Sequence, residues 1–336
     1  MARYRRPIII GLIVLLCVGV GEFWLYAANR LGFYVHQPIL GGQSLADLCQ
    51  SSDIGGFPFR LKLSCTGLTA PVRVGGGVIY AGVEEAHGVA SLFSPNHIVL
   101  TISSPLVIQR SNGAPVAKLR HDGMTLDVAW GLSGVAAMRL NATSLDWRPE
   151  SPEAGVAVNV QNLAVEAVPQ GGPDTPAGLR YDLVADGVTA PALQALLKDK
   201  APGHFAASGE ITPPPKPGRD WRAALEDWRK KSGALRIQHM EWRSGDLSLR
   251  LDGALSLDDN HRPAGRLNVA AHGAGPLLTR LGVPAAAQAP DLLGALLGKT
   301  TAANAGTGAL KLPLTLANGQ ILMGPLRLPA TLRPLY

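Results

Sequence analysis

The chain has 336 residues and a formal charge of +6, with 17% charged and 46% hydrophobic residues. That balance excludes a largely disordered chain. Three of the positive charges, Arg3, Arg5 and Arg6, precede the first apolar run, so the remainder is only weakly basic and offers no case for nucleic-acid binding. Gly 39 and Pro 26 together make up about a fifth of the chain, against roughly 12% in ordinary proteins. The excess points to many turns and away from a helical bundle.

Ile8 to Gly21 is an uninterrupted apolar run, broken at Glu22 and resumed from Phe23 to Ala28. As a helix, residues 8–28 would be about 31 Å long, enough to span a hydrocarbon core of about 30 Å. The arginines place residues 1–7 in the cytoplasm and the rest on the other side. Trp24 and Tyr26 suit an interfacial aromatic belt, with Glu22 near the outer headgroups. A cleaved signal peptide is the competing reading, with Ile8 to Val18 as its core and Gly19-Val20-Gly21 as the cleavage site. Both readings export everything beyond about residue 30. The expected setting is therefore the inner membrane, with a single span and a periplasmic body.

Cys17 lies in the apolar run and needs no role beyond a small lipid-facing residue. Cys49 and Cys65 form a pair. Ser44-Leu45-Ala46-Asp47 has the form of a capping box, which would place Leu45, Leu48 and Cys49 on one helical face. Phe57 to Cys65 alternates, with Phe57, Phe59, Leu61, Leu63 and Cys65 on one side and Arg60, Lys62 and Ser64 on the other. Both sulfurs would point inward from adjacent elements, and an oxidising periplasm favours a bridge. Two unpaired buried thiols, or a metal pair short of further ligands, are the alternatives.

Residues 33–211 read as a first β-rich half. Ile98, Leu100 and Ile102 alternate with polar or smaller residues. Leu106 to Arg110 leads through Asn112-Gly113, a hairpin signal, to a return strand from Val116 to Leu119. Met124 to Trp130 is a further strand. Ala136 to Trp147 is another, with Met138, Leu140, Ala142, Ser144 and Asp146 on one face. Val156 to Val168 adds one or two more. Turn signals every 8–15 residues or so favour an antiparallel sheet over βαβ units.

Helices are few and short. Pro191, Pro276 and Pro290 each open a Leu-rich segment, and Gly282 and Gly298 stop the last two. Asp220 would cap a helix whose Trp221, Leu225 and Trp228 lie on one stripe. Residues 212–218 are a Pro-rich linker, and residues 219–336 a second β-rich half of the same domain. A strand and Leu-rich helix at Leu179 to Leu197 is echoed faintly from Arg266 onward. In the last third, Leu247, Leu249 and Leu251 alternate with Ser248 and Arg250, and Leu312, Leu314 and Leu316 alternate again before a turn at Asn318-Gly319. These six leucines are the candidate apolar concave face. The expected fold is mainly β: a large curved antiparallel sheet or open half-barrel, with a few short helices, behind one transmembrane helix. So few helices cannot cover such a sheet, which must curl on itself or leave an apolar face open.

Cys49, then Gly56-Phe57-Pro58-Phe59-Arg60, then Cys65 resembles the signature of domain-of-unknown-function family 2125. The closing hairpin, with Asn318-Gly319-Gln320 and Met323-Gly324-Pro325-Leu326, is similar to that family's usual ending. The resemblance covers nearly all of the chain beyond the anchor. It implies an exported, membrane-anchored protein of alphaproteobacteria with no established activity, so it transfers no catalytic residue. The layout is similar to AsmA-like envelope proteins, a likeness of fold only.

No catalytic constellation is present. The eight histidines show no metal-ligand spacing, Gly131-Leu132-Ser133-Gly134 is not a nucleophile elbow, and Gly75-Gly76-Gly77 lacks the Lys of a phosphate loop. The sequence thus leads to a non-enzymatic membrane protein that needs no metal or cofactor. It would meet the membrane through its N-terminal helix and bind lipid or another envelope protein. The alternative is a structural or assembly protein with a closed core and no ligand.

Overall fold

The computed structural model describes residues 5–40, 43–74, 77–131, 134–172, 175–197, 200–214, 221–273, 310–323 and 326–336. The chain opens with helix α1 (Arg5–Val35), whose side chains, Leu15 apart, are described from Val18 onward. The first part of the apolar run, from Ile8 to Cys17 with Leu15 excepted, lies outside them. Among the described residues no helix is long and apolar enough to cross a membrane. A small ribbon, β1 (Pro38–Leu40) with β2 (Gln43–Ser44), leads to the one-turn helix α2 (Leu45–Leu48). The expected capping box is formed: the Ser44 hydroxyl accepts from the Asp47 amide and the Asp47 carboxylate accepts from the Ser44 amide. Two otherwise orphaned donors are satisfied, and Leu48 is buried.

The rest is dominated by one antiparallel sheet. Its first strands are β3 (Ser51–Gly55), β4 (Arg60–Val74), β5 (Gly77–Ser91), β6 (Ser94–Ile102), β7 (Leu106–Arg110), β8 (Pro115–Arg120), β9 (Gly123–Gly131) and β10 (Gly134–Pro149). A 3-10 turn at Pro152–Ala154 precedes β11 (Val158–Gly172), β12 (Thr175–Val188), helix α3 (Pro191–Leu197) and β13 (Gly203–Thr212). Helix α4 (Trp221–Lys230) follows, then β14 (Ala234–Ser244), β15 (Leu247–Leu257), β16 (Pro263–His272), β17 (Leu310–Ala317), β18 (Gln320–Met323) and β19 (Leu326–Thr331). The helices expected after Pro276 and Pro290, and the echo that needed the first of them, fall outside the described residues.

The ladders follow chain order. β6 and β7 are two parts of one strand, interrupted at Ser103 to Pro105, and both pair with β5. β8 and β9 are likewise one strand interrupted at His121-Asp122, and both pair with β10. The hydrogen bonds therefore form a closed ring, which runs β5–β6–β9–β10–β8–β7 around this double interruption. Among the described residues no ladder joins β19 back to β3. From β10 to β19 each strand pairs with the next. The Pro-rich segment after Thr212 connects β13 and β14, which pair along their whole length.

Several buried residues cluster in sequence around the interruption, among them Val116, Ala117, His121, Ala142 and Leu145. Ser144 has φ 52 and breaks the alternation of β10, so Ala142 and Leu145 are both buried. The expected single face ending at Ser144 and Asp146 is thereby corrected. Asn318 and Gly319 both have positive φ and join β17 to β18 through the expected two-residue turn.

Candidate apolar face

Cross-strand partners define the site. Leu63 stands opposite Gly88, Gly88 opposite Leu100, Leu100 opposite Leu126 and Leu126 opposite Leu140. The row continues through Val165, Leu183, Ala207, Met240, Leu251, Val269 and Leu312. It crosses from β4 to β17 without a polar side chain. The next row, two residues along each strand except β14, where it is three, runs from Leu61, Ala90, Ile98, Val128 and Met138 to Ala167, Tyr181, Gly209, Ile237, Gly253, Leu267, Leu314 and Met323. Between these rows lies one that is polar except at Val89 and Val99: Lys62, Val89, Val99, Asp127, Arg139, Glu166, Asp182, Ser208 and His239. Side chains alternate across a strand. The sheet thus carries an apolar face backed by a polar one.

A β-bulge at Gln238-His239 preserves this division. Ile237 and Met240 are an odd distance apart, yet both take apolar partners, because the extra residue resets the alternation. Glycines let aromatic rings lie flat on β13. A Cβ at Gly203 would overlap the Trp242 ring, and one at Gly209 would overlap the Arg236 carbonyl and the Tyr181 hydroxyl. Trp242 and Leu249 pack on the buried pair Leu247 and Ala271. Tyr181 carries the only hydroxyl in the two apolar rows; burial, and then the Asp182 charge, push it above its ordinary value. It therefore stays neutral, and the face stays uncharged, at physiological pH.

α1 meets β3 and β4, α2 meets β4, and the 3-10 turn meets β8 and β10. No large side chain in the described residues falls below 2% exposure, and Leu100, in the middle of the first row, is 39% exposed. A packed interior would hide such residues almost completely. The polar side is studded with ion pairs, including Arg139–Glu166 and Arg180–Asp182. Glu241 is the buried exception, bonded to Arg250 and paired with Arg243. Burial pushes its carboxyl up, but Arg250, Arg243 and His239 together hold it below the usual range.

The six leucines expected on the face are placed as follows. Leu247 is buried, while Leu249 and Leu251 are half-buried opposite Ala271 and Val269. Leu314 is half-buried opposite Leu267, and Leu316 is buried opposite Gly265. Leu312 stands opposite Val269 in the ladder; its side chain is not described.

Cys49 and Cys65 are disulfide-bonded, with Cα atoms 5.6 Å apart, which staples α2 to β4. The Gly56–Phe59 segment is a tight tip between β3 and β4, not the start of a strand. Gly56 has φ 96, and a Cβ there would meet the Arg60 carbonyl, whose residue returns a hydrogen bond to the Gly56 carbonyl. The expectation that Phe57 and Phe59 face inward is corrected: they are 61% and 51% exposed. They lie in the turn, where no strand neighbour covers them. Trp24 of α1 donates its indole N–H to the Arg60 carbonyl at 2.7 Å and meets Phe57 edge to face. A groove of about 650 Å³ between α1 and β3 is lined by Trp24, Asn29, Phe33 and Ile54 among others.

A family model described as an uncharacterized protein conserved in bacteria, DUF2125, matches residues 40–331. The chain belongs to this family. The DUF2125 match covers the whole described sheet from β3 to β19, so the apolar face lies entirely within the family region. No curated protein and no solved structure matches the chain significantly.

Two clusters escaped the sequence. His121 is buried with both ring nitrogens lacking a hydrogen-bond partner, at the interruption between β8 and β9. At the other end of the chain, the Tyr336 hydroxyl donates to Glu226, which also binds Arg229, and Arg229 reaches Asp259. Neither has a local motif. Among the described residues no group of His, Cys, Asp and Glu is placed to hold a metal.

Proposed function

We propose that this DUF2125 protein is held in the inner membrane by its N-terminal segment, with the sheet in the periplasm, and that the apolar face binds lipid acyl chains. The unbroken rows of apolar cross-strand partners carry the reading. Large sheets twist and coil, and coiling toward the apolar side turns it into a trough. Such a surface exceeds what a monomer leaves exposed without use. The arginines before Ile8 favour a cytoplasmic N-terminus, and the Cys49–Cys65 bridge suits an oxidising compartment. Binding needs no metal or cofactor and involves no chemical step.

The test is lipid extraction and mass spectrometry on the full chain purified from membranes in mild detergent. Phospholipid at a fixed ratio to protein is the expected result. A lipid-free preparation that instead carries a tightly associated envelope protein would overturn the proposal in favour of an assembly role.

A further inference from the structure

Phe93, at the tip between β5 and β6, is 78% exposed and stacks on Phe59, with ring centroids 5.7 Å apart. The two tips are one surface: the Leu92 amide donates to the Phe59 carbonyl, one step beyond the Arg60–Ser91 pair. Neither Gly55-Gly56-Phe57-Pro58-Phe59 nor Leu92-Phe93-Ser94-Pro95-Asn96 contains a charged residue. Three phenylalanines at a loop tip gain nothing from water and are not needed by the sheet. Their position along α1 supplies the reason. Ile54 lies against Gly32, whereas Phe57 lies against Gly21. Eleven residues of helix separate the two glycines, about 16 Å of axis. The tip therefore reaches toward the N-terminal, apolar part of the helix, and β3 recedes from it. Beside the tip, α1 itself exposes Phe23, Leu25 and Tyr26. Arg60 and Arg30 flank the surface, against Glu22 and Asp53, all four exposed.

We infer that the Phe57–Phe59–Phe93 tip is buried in the headgroup layer of a phospholipid bilayer and forms the membrane-side mouth of the apolar face. Phenylalanine, like Trp and Leu, is a residue with which interfacial segments bury themselves at the boundary between headgroups and acyl chains. Phe59 is two residues from Leu61, where the second apolar row begins, so an acyl chain leaving the bilayer meets that row directly. The role of the mouth rests on the lipid-binding reading; the insertion of the tip does not.

The experiment uses the full chain with Cys17→Ser, reconstituted into vesicles of phosphatidylethanolamine and phosphatidylglycerol. An environment-sensitive fluorophore is attached to Phe93→Cys, or to Asn112→Cys at the opposite end of the same strands. Some of the phospholipids carry a nitroxide quencher near the headgroup end of the acyl chain. The expected result is a blue-shifted, strongly quenched probe at position 93 and a water-like, unquenched probe at 112. Ser94→Cys repeats the measurement with all three phenylalanines intact. Equal behaviour at 93, 94 and 112 overturns the inference, whether or not the purified protein carries lipid. Quenching at 93 and 94 in a protein free of bound lipid would sustain the insertion of the tip and remove only the proposed cargo.

Discussion

The Trp242 ring lies where a Cβ of Gly203 would sit, so β13 gives up a side chain to let β14 lay an indole across the apolar face. The same ring packs on Leu247 and Ala271. Gly203→Val should force the indole off this pair and destabilise the chain by about 1–3 kcal/mol, the usual cost of overpacking. Urea unfolding followed by fluorescence measures it; an unchanged midpoint would mean that the ring finds an equal position elsewhere.

Charge on the apolar face separates a binding surface from a core. Leu249→Asp and Leu314→Asp each place a carboxylate in an apolar row. On an open face the protein should still fold, with native circular dichroism, while co-purifying phospholipid falls severalfold. Collapse of both variants into insoluble protein would identify those positions as sealed interior.

The disulfide closes a loop with a sequence separation of 16. Chain-entropy reasoning gives about 3 kcal/mol for a loop of this size. Cys49→Ser combined with Cys65→Ser should lower the urea midpoint accordingly, and reductant should do the same to the native chain. Identical unfolding curves with and without reductant would contradict the bridge.

The acid limb of stability should depend on Tyr336. Hydrogen bonds from Arg229, then Tyr336 and Lys230, hold Glu226 well below the usual carboxylate range. A folded value below the unfolded one means that the stabilisation is present above the unfolded carboxyl's range and is lost as pH falls through the depressed value. Tyr336→Phe removes one donor to the charged form, raises the folded value, and should shift acid-induced loosening to higher pH. Tyr336 itself is pushed up by burial and then by Glu226, so its contribution is present below the ordinary tyrosine range and lost as pH rises through the raised value. Trp221, edge-on to the Tyr336 ring, is the fluorescent reporter for both limbs.

What the sequence disclosed was local. Strict alternation marked β15 and β17, Ser44 and Asp47 marked α2, and Asn318-Gly319 marked its turn. Each signal is completed within a few residues. The strand from Ala234 to Ser244 carries no such pattern, because its bulge shifts the apolar positions from odd to even at Gln238-His239. Phe57 and Phe59 have the parity of the strand that follows them, yet lie in a turn, since the return to Arg60 and the positive φ of Gly56 end the pairing before them. The apolar rows themselves were legible only in fragments. Six leucines near the carboxyl terminus hinted at them, but a row that crosses a dozen strands exists only once every register is set. The link from Tyr336 to Glu226 spans 110 residues and has no shorter-range trace.

The order of the strands has a consequence for how the chain is made. Because each strand from β10 onward hydrogen-bonds to the one synthesised just before it, that part of the sheet can grow by accretion as the polypeptide emerges, with little loop-closure entropy at each step except the long connection from His272 to Leu310. Every intermediate length then has a raw leading edge that the next strand will cover. Stalling partway would leave that edge free to pair with a neighbouring chain, so uninterrupted delivery protects this protein from aggregation.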